Sequence, residues 1–176
     1  MRSQLRHSTQ LSWGRTKPKI TAEYIVGLVD GEGCFYVLVQ NPENKSKNYV
    51  KAQTHFHLKM KEDDLELLCS LRDYFGCGTV QKQPDNRPNH VDCYRYTVSS
   101  NKDVHDIIIP FFLSNQLKSS KYKDFLIFKT ISDMIYLGVH LNDKGLEEIR
   151  DLKMQMNFGT RRVREIRSHG GNTKKS

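Results

Sequence analysis

Two acids, each followed by a glycine, stand in the segment of this sequence best suited to chemistry. That segment is Tyr24-Ile25-Val26-Gly27-Leu28-Val29-Asp30-Gly31-Glu32-Gly33-Cys34-Phe35. A carboxylate at the end of an apolar helix can meet its symmetry mate from a second copy around a hard divalent cation. Gly27 and Gly31 lie four residues apart, on one side of a helix, where missing side chains let another backbone approach closely. Ile25, Val26, Leu28 and Val29 make that helix apolar nearly all round, so it is expected to be buried. The plainer reading of the same string is a buried helix with a glycine-rich exit turn before a strand. His55-x-His57 has metal-ligand spacing, but the sequence offers no third ligand. No GxxxxGK[ST] occurs, nor a GxGxxG followed by a helix, so nucleotide cofactors are not expected.

The elements that must position these residues follow from periodicity. Thr21 is a natural N-cap, Glu23 suits the first turn, and the helix is expected to stop at Gly31-Glu32-Gly33. CFYVLVQN then reads as a strand ending at Asn41-Pro42. Residues 49–60 alternate, with Ala52, Thr54, Phe56, Leu58 and Met60 on one face. A helix opened by Glu62-Asp63-Asp64 carries Leu65, Leu68, Cys69, Leu71 and Phe75 on its inner side and ends at Gly76. Two more strands, GTVQKQ and VDCYRYTV, flank the turn-rich PDNRPNH. Helices are expected over 104–113, 121–137 and 144–156, the second with a core stripe of Phe125, Phe128, Ile131, Met134 and Ile135.

This order predicts an α+β domain in which an antiparallel sheet is covered on one face only. Taking Val37, Phe56, Val80 and Tyr96 as core, parity puts Tyr36, Leu38 and Gln40 on the open face with Gln53, His55, His57 and Lys59. Gln81, Gln83, Arg95 and Thr97 complete that face. Acids are nearly absent there, whereas amide, imidazole and guanidinium groups that can bond base edges are frequent. An ordinary solvated sheet face is the blander account of the same pattern. Residues 1–19 form a basic arm, 20–157 the domain, and 158–176 a basic tail carrying Arg161, Arg162, Arg164, Arg167, Lys174 and Lys175.

Composition agrees with a polyanionic partner. There are 28 Lys and Arg against 20 Asp and Glu, a net charge of +8, and each phosphate neutralised releases condensed counterions. The length of 176 residues suits one domain with short tails. No apolar run approaches the roughly 20 residues that span a bilayer, so no membrane association is expected. Cys34, Cys69, Cys77 and Cys93 form no CxxC pair, which argues against zinc ribbons and suits reduced thiols in an intracellular protein. The acid-free N-terminus is compatible with an organellar transit peptide, so an organelle (mitochondrion or chloroplast) or a bacterial cytoplasm would each fit.

The nine residues from Ile25 to Gly33 resemble the LAGLIDADG motif, matching at Gly27, Leu28, Asp30 and Gly33 and conservatively at Ile25, Val29 and Glu32. FGCG at 75–78 and the downstream HLNDKGLEEIRDLKMQMN are similar to the intron-encoded branch of this homing endonuclease family. The resemblance implies an αββαββα fold with a saddle-shaped four-stranded antiparallel sheet. With one motif copy it implies a homodimer joined through Ile25, Gly27, Leu28, Asp30 and Gly31. It further implies hydrolysis of both strands of a long, near-palindromic DNA duplex, leaving short 3′ overhangs and promoting intron homing. Mg²⁺ is the implied cofactor, with Mn²⁺ able to substitute and Ca²⁺ supporting binding without efficient cleavage. Glu32 falls on the metal-binding acidic position, and the Gly31 carbonyl is the second ligand candidate. Asp30 falls on the other acidic position, better suited to capping helix ends. Lys121, with Lys118 close behind, matches the family's catalytic basic residue, although a solvated lysine at a helix start is an equally simple reading. Met60 replaces a polar residue usual at the end of strand two, unless Lys59 or Lys61 serves instead.

Two further functions share the fold: an intron maturase binding intron RNA, and a non-cleaving DNA-binding regulator. Glu32 weighs against the maturase, because an RNA-binding factor needs no metal-binding carboxylate there; the regulator predicts tight binding indifferent to Mg²⁺ and to substitution of Glu32.

Overall fold

The computed structural model describes residues 19–39, 52–83 and 92–156. Gln40, the N-terminal arm, the basic tail, and the turn-rich segments after the first and third strands lie outside the described residues.

Helix α1 spans Ala22–Glu32, capped by the Thr21 hydroxyl, which accepts from the Tyr24 N–H at 3.3 Å. It passes without a loop into β1, Gly33–Val39. The expected stop at Gly31 is therefore two residues early: both Gly31 and Glu32 are helical, and Gly33 is the C-cap. Within the protomer the burial of α1 is one-sided. Ile25, Val26 and Val29 are buried, but Tyr24, Gly27 and Gly31 are exposed along the opposite side.

Strands β2 (Ala52–Lys61), β3 (Thr79–Gln83) and β4 (Cys93–Val98) complete an antiparallel sheet of order β1-β2-β4-β3. Between β2 and β3 runs α2, Leu65–Phe75, ended by left-handed Gly76 at φ 66°. After β4, α3 (Asn101–Asp103) continues through a π-helical stretch, Val104–Ile108, into α4 (Ile109–Ser114). This helical run starts three residues before the expected 104. Pro110 accounts for the π geometry: it lacks the N–H an α-helix would aim at Asp106, and the Ile109 N–H bonds Val104 instead. Helices α5 (Lys121–Tyr136) and α6 (Asp143–Gln155) follow the expected ranges to within a residue.

The core lies between the helices and one sheet face. Phe35 is its hub, with ring centroids 5.1–5.6 Å from Phe56, Phe112, Phe125 and Phe128. Three residues after Glu32, this side chain locks the start of β1 onto β2, α4 and α5, and each such aromatic pair adds about 0.5–1.5 kcal/mol beyond area burial. Among the described residues, no helix is long and apolar enough to cross a membrane.

Candidate nucleic-acid interface and metal-binding carboxylate

The strand registers fix which side chains share the open face. Cys34, Tyr36 and Leu38 of β1 lie opposite His57, His55 and Gln53 of β2. His57 and Lys59 lie opposite Thr97 and Arg95 of β4, and Thr97, Arg95 and Cys93 lie opposite Thr79, Gln81 and Gln83 of β3. Every described residue predicted for this face is brought together on it. Cys34, Lys61, Thr79 and Cys93 share the same parity and extend the set. No acid stands at any of these positions. Met60 points to the other side and packs on the core, leaving Lys59 and Lys61 as the polar groups at the end of β2.

Electrostatics keep the face uncharged at its histidines and cationic at its centre. Burial lowers the pKa of His55 and, with Arg95 and His55 beside it, that of His57. Arg95 has its Nε buried without a hydrogen-bond partner, so its guanidinium is not satisfied within the described chain. Gln53 is partly committed, its amide donating to the Ser99 carbonyl at 2.6 Å. Lys153 of α6 sits with its ammonium 5.5 Å from the Tyr36 ring centroid, so α6 adds a cation beside β1. Sequence reasoning missed this lysine, because only the packing of α6 beside β1 puts it near the face.

At the edge of the face, α1 ends. Glu32 and Gly31 are exposed there. Helix geometry leaves the last carbonyls, Gly31's included, without intrahelical donors, so this end attracts cations. Asp30 behaves differently. Its carboxylate accepts the Lys118 N–H at 2.8 Å, the Ser119 N–H at 3.2 Å and the Ser119 hydroxyl at 2.7 Å. Burial would raise its pKa, but these bonds and the Lys121 charge outweigh that and hold it below the ordinary value. Lys121 donates from Nζ to the carbonyls of Val29 at 2.7 Å and Gly33 at 2.6 Å. Burial lowers its pKa, against the opposing pull of Asp30, Cys34, Glu32 and Asp124. Lys118 is exposed and joins Glu23, Val26, Gly27, Asp30 and Leu113 in lining a groove of about 550 Å³ along the open side of α1.

A hard divalent cation fits this donor set only in part. One exposed carboxylate and a helix-end carbonyl supply oxygen ligands of the right kind. Among the described residues, however, no three His, Cys, Asp or Glu side chains converge on one point, His55 and His57 included. One protomer therefore offers a fraction of a coordination sphere, open to ligands from outside it.

A helix with an open glycine side feeds directly into an antiparallel sheet with one cationic, acid-free face, which defines the fold as α+β with helices on one side of the sheet only. Comparison narrows the class. The family model described as LAGLIDADG endonuclease matches residues 25–132, and the chain belongs to that family. A probable intron-encoded endonuclease 2 of Neurospora crassa is 32% identical over 153 residues, covering 86% of this chain and 31% of that protein. The crystal structure of the homing endonuclease I-TnaI is 32% identical with a TM-score of 0.70, covering 85% of this chain and 99% of that one. I-SmaMI bound to an uncleaved DNA target in the presence of calcium ions is 30% identical with a TM-score of 0.70. There the match covers 79% of this chain and 45% of the other. The chain thus spans about a third of the length of the curated Neurospora relative and under half of I-SmaMI.

Proposed function

We propose that this protein is a site-specific, metal-dependent DNA endonuclease that acts in intron homing. The observation that carries the reading is the junction of α1 and β1, where one exposed carboxylate meets an acid-free sheet face crowded with base-reading groups. A two-stranded or wider β-surface fits the major groove, and amide, imidazole and guanidinium groups there specify sequence. The surrounding lysines and the basic tail position the duplex through phosphates and carry no sequence information.

The partial metal site supports a homodimer. Of the residues expected at the interface, Ile25 is fully buried in the protomer's own core and Asp30 is bonded to Lys118 and Ser119. Two α1 helices meeting instead along the exposed Tyr24, Gly27 and Gly31 would bring two Glu32 carboxylates together and set two sheet faces side by side over one near-palindromic duplex. When bound, Mg²⁺ at that junction supplies polarisation of the scissile phosphate and a water of lowered pKa. Glu32 and the Gly31 carbonyl hold the ion, and Lys59 and Lys61 supply positive charge at the same end of the sheet. Mn²⁺ would substitute, and Ca²⁺ would support binding without efficient cutting. An organelle suits a chain similar to intron-encoded fungal proteins.

The test is Mg²⁺-dependent cleavage of a large DNA pool by wild type and Glu32→Gln in parallel. Defined double-strand cuts by wild type alone, with short 3′ overhangs, are the expected result. Binding without cutting by either protein overturns the nuclease and favours the maturase or regulator, with intron RNA as the next ligand.

A further inference from the structure

The C-terminal end of α1 and the N-terminal end of α5 cap each other. Asp30, on the last turn of α1, accepts the Lys118 and Ser119 N–H groups and the Ser119 hydroxyl just ahead of α5. In return Lys121, the first residue of α5, gives its ammonium to the carbonyls of Val29 and Gly33. A negative side chain thus meets the electropositive helix end and a positive one the electronegative end, the Asp30 bonds exposed and the Lys121 bonds partly shielded from water. The partners are 88 to 92 residues apart in sequence.

The placement of these bonds gives them a consequence. Val29 and Gly33 lie on either side of Asp30-Gly31-Glu32, so Lys121 pins both ends of the segment and Asp30 anchors its first residue. Glycine is the loosest residue a helix can hold, and among the described residues nothing would touch a Cβ added at Gly31. Without external bonds, this last turn would fray, because beyond the Val29 carbonyl, which takes the Gly33 N–H, its carbonyls lack helical donors and it contains a glycine. Cation binding tolerates little of that, because a ligand must be held within a few tenths of an ångström.

We propose that Ser119 and Lys121 are positioning residues: acting through Asp30 and the carbonyls of Val29 and Gly33, they fix the helix end that presents Glu32. The inference rests on the proposed role of Glu32 as a metal ligand. It gives Lys121 a task other than contact with the scissile phosphate, and it gives Ser119 a task where none was evident.

The experiment uses the full chain with a DNA duplex recovered from a randomised library by the wild-type protein in Ca²⁺. Wild type, Ser119→Ala, Ser119→Thr, Lys121→Met and Glu32→Gln are compared by three readouts: DNA affinity in Ca²⁺, Mn²⁺ affinity of the complex by electron paramagnetic resonance, and the Mg²⁺ concentration giving half-maximal cleavage. Ser119→Ala keeps the backbone donors to Asp30 and removes the two bonds of the hydroxyl, the one it donates to Asp30 and the one it accepts from the Lys121 N–H at 3.2 Å; folding and DNA affinity are expected to be preserved. Its Mn²⁺ affinity and Mg²⁺ affinity in cleavage are expected to weaken together by about five-fold, the scale of one ordinary, exposed hydrogen bond. Threonine, which retains the hydroxyl, restores both. Lys121→Met is expected to weaken Mn²⁺ binding further, although it removes a positive charge that would otherwise repel the cation. Tighter Mn²⁺ binding in Lys121→Met, or no change in Ser119→Ala, overturns the proposal. Should the wild type bind its duplex and never cut, the nuclease reading fails, and the Mn²⁺ titration still decides whether these residues position Glu32. Mn²⁺ binding unaltered by Glu32→Gln removes the premise and the proposal with it.

Discussion

Replacing Gly27 by alanine should make the protomer more stable and the dimer weaker, two effects that usually run together. Gly27 lies inside α1, and a Cβ built on it meets nothing within 4 Å. The folded protomer therefore accepts the methyl group without strain, and the helix gains the difference in propensity, about 1 kcal/mol. For a chain of this size that raises the melting midpoint by about 2–4 °C. In the proposed dimer the same methyl enters a close contact between backbones, once from each copy. Overpacking costs ~1–3 kcal/mol per site, so two symmetric sites raise the dissociation constant by about 30-fold or more. Urea unfolding at concentrations below dissociation reads the first effect, and sedimentation equilibrium reads the second. Gly27→Leu should abolish the dimer outright. An unchanged dissociation constant beside the stability gain refutes the reasoning, since the open glycine side would not be the meeting surface. A destabilised protomer refutes its premise that nothing among the described residues covers Gly27.

Three further outcomes are expected. Asn101→Ala should cost ~2–4 kcal/mol in urea unfolding, because the Asn101 Oδ1 accepts both the N–H and hydroxyl of fully buried Thr54, which would be left unpaired. Arg95→Ala should relax specificity at one base position by about 1–3 kcal/mol in binding to single-base variants of the target, whereas uniform weakening would make it a phosphate contact. Burial holds His55 and His57 below the ordinary histidine value of 6.5, so as pH falls the unfolded chain takes up protons first. Their contribution is intact above that value and declines as pH drops through it, and His55→Gln combined with His57→Gln should flatten the stability profile between about pH 7 and 5.

What the sequence reveals is what local periodicity controls. The alternation from Ala52 to Met60 sets the parity of β2, and antiparallel pairing carries that parity to every strand. The open face is legible for that reason. Glu32 is legible because its string resembles a family motif. The end of α1 is not: glycine at 31 and 33 reads as a stop, yet the Val29 carbonyl takes both the Gly33 N–H and the Lys121 ammonium, and the helix reaches Glu32. Nothing near Asp30 in the sequence announces Ser119, because that pairing exists only once α5 is seated. Lys153 is hidden likewise: its position on α6 suggests a solvated helix face, and the packing beside β1 sets it over Tyr36. The π-helical stretch follows from Pro110, a residue in plain view, but sequence alone does not say whether a proline ends a helix or re-registers it.

The absence of any loop between α1 and β1 makes the protein a ruler. Strand residues facing the same way recur about every 6.8 Å, close to the length of two base steps along a DNA strand. Cys34, Tyr36 and Leu38 are thus successive marks on one scale that starts directly after the helix end carrying Glu32, the proposed metal ligand. For a nuclease of the proposed kind, the offset between the cut and the first base read by β1 is a covalent property of the chain. One residue inserted after Gly33 would turn the marks of β1 toward the core, and two would displace the cut by about two base steps relative to the sequence being read.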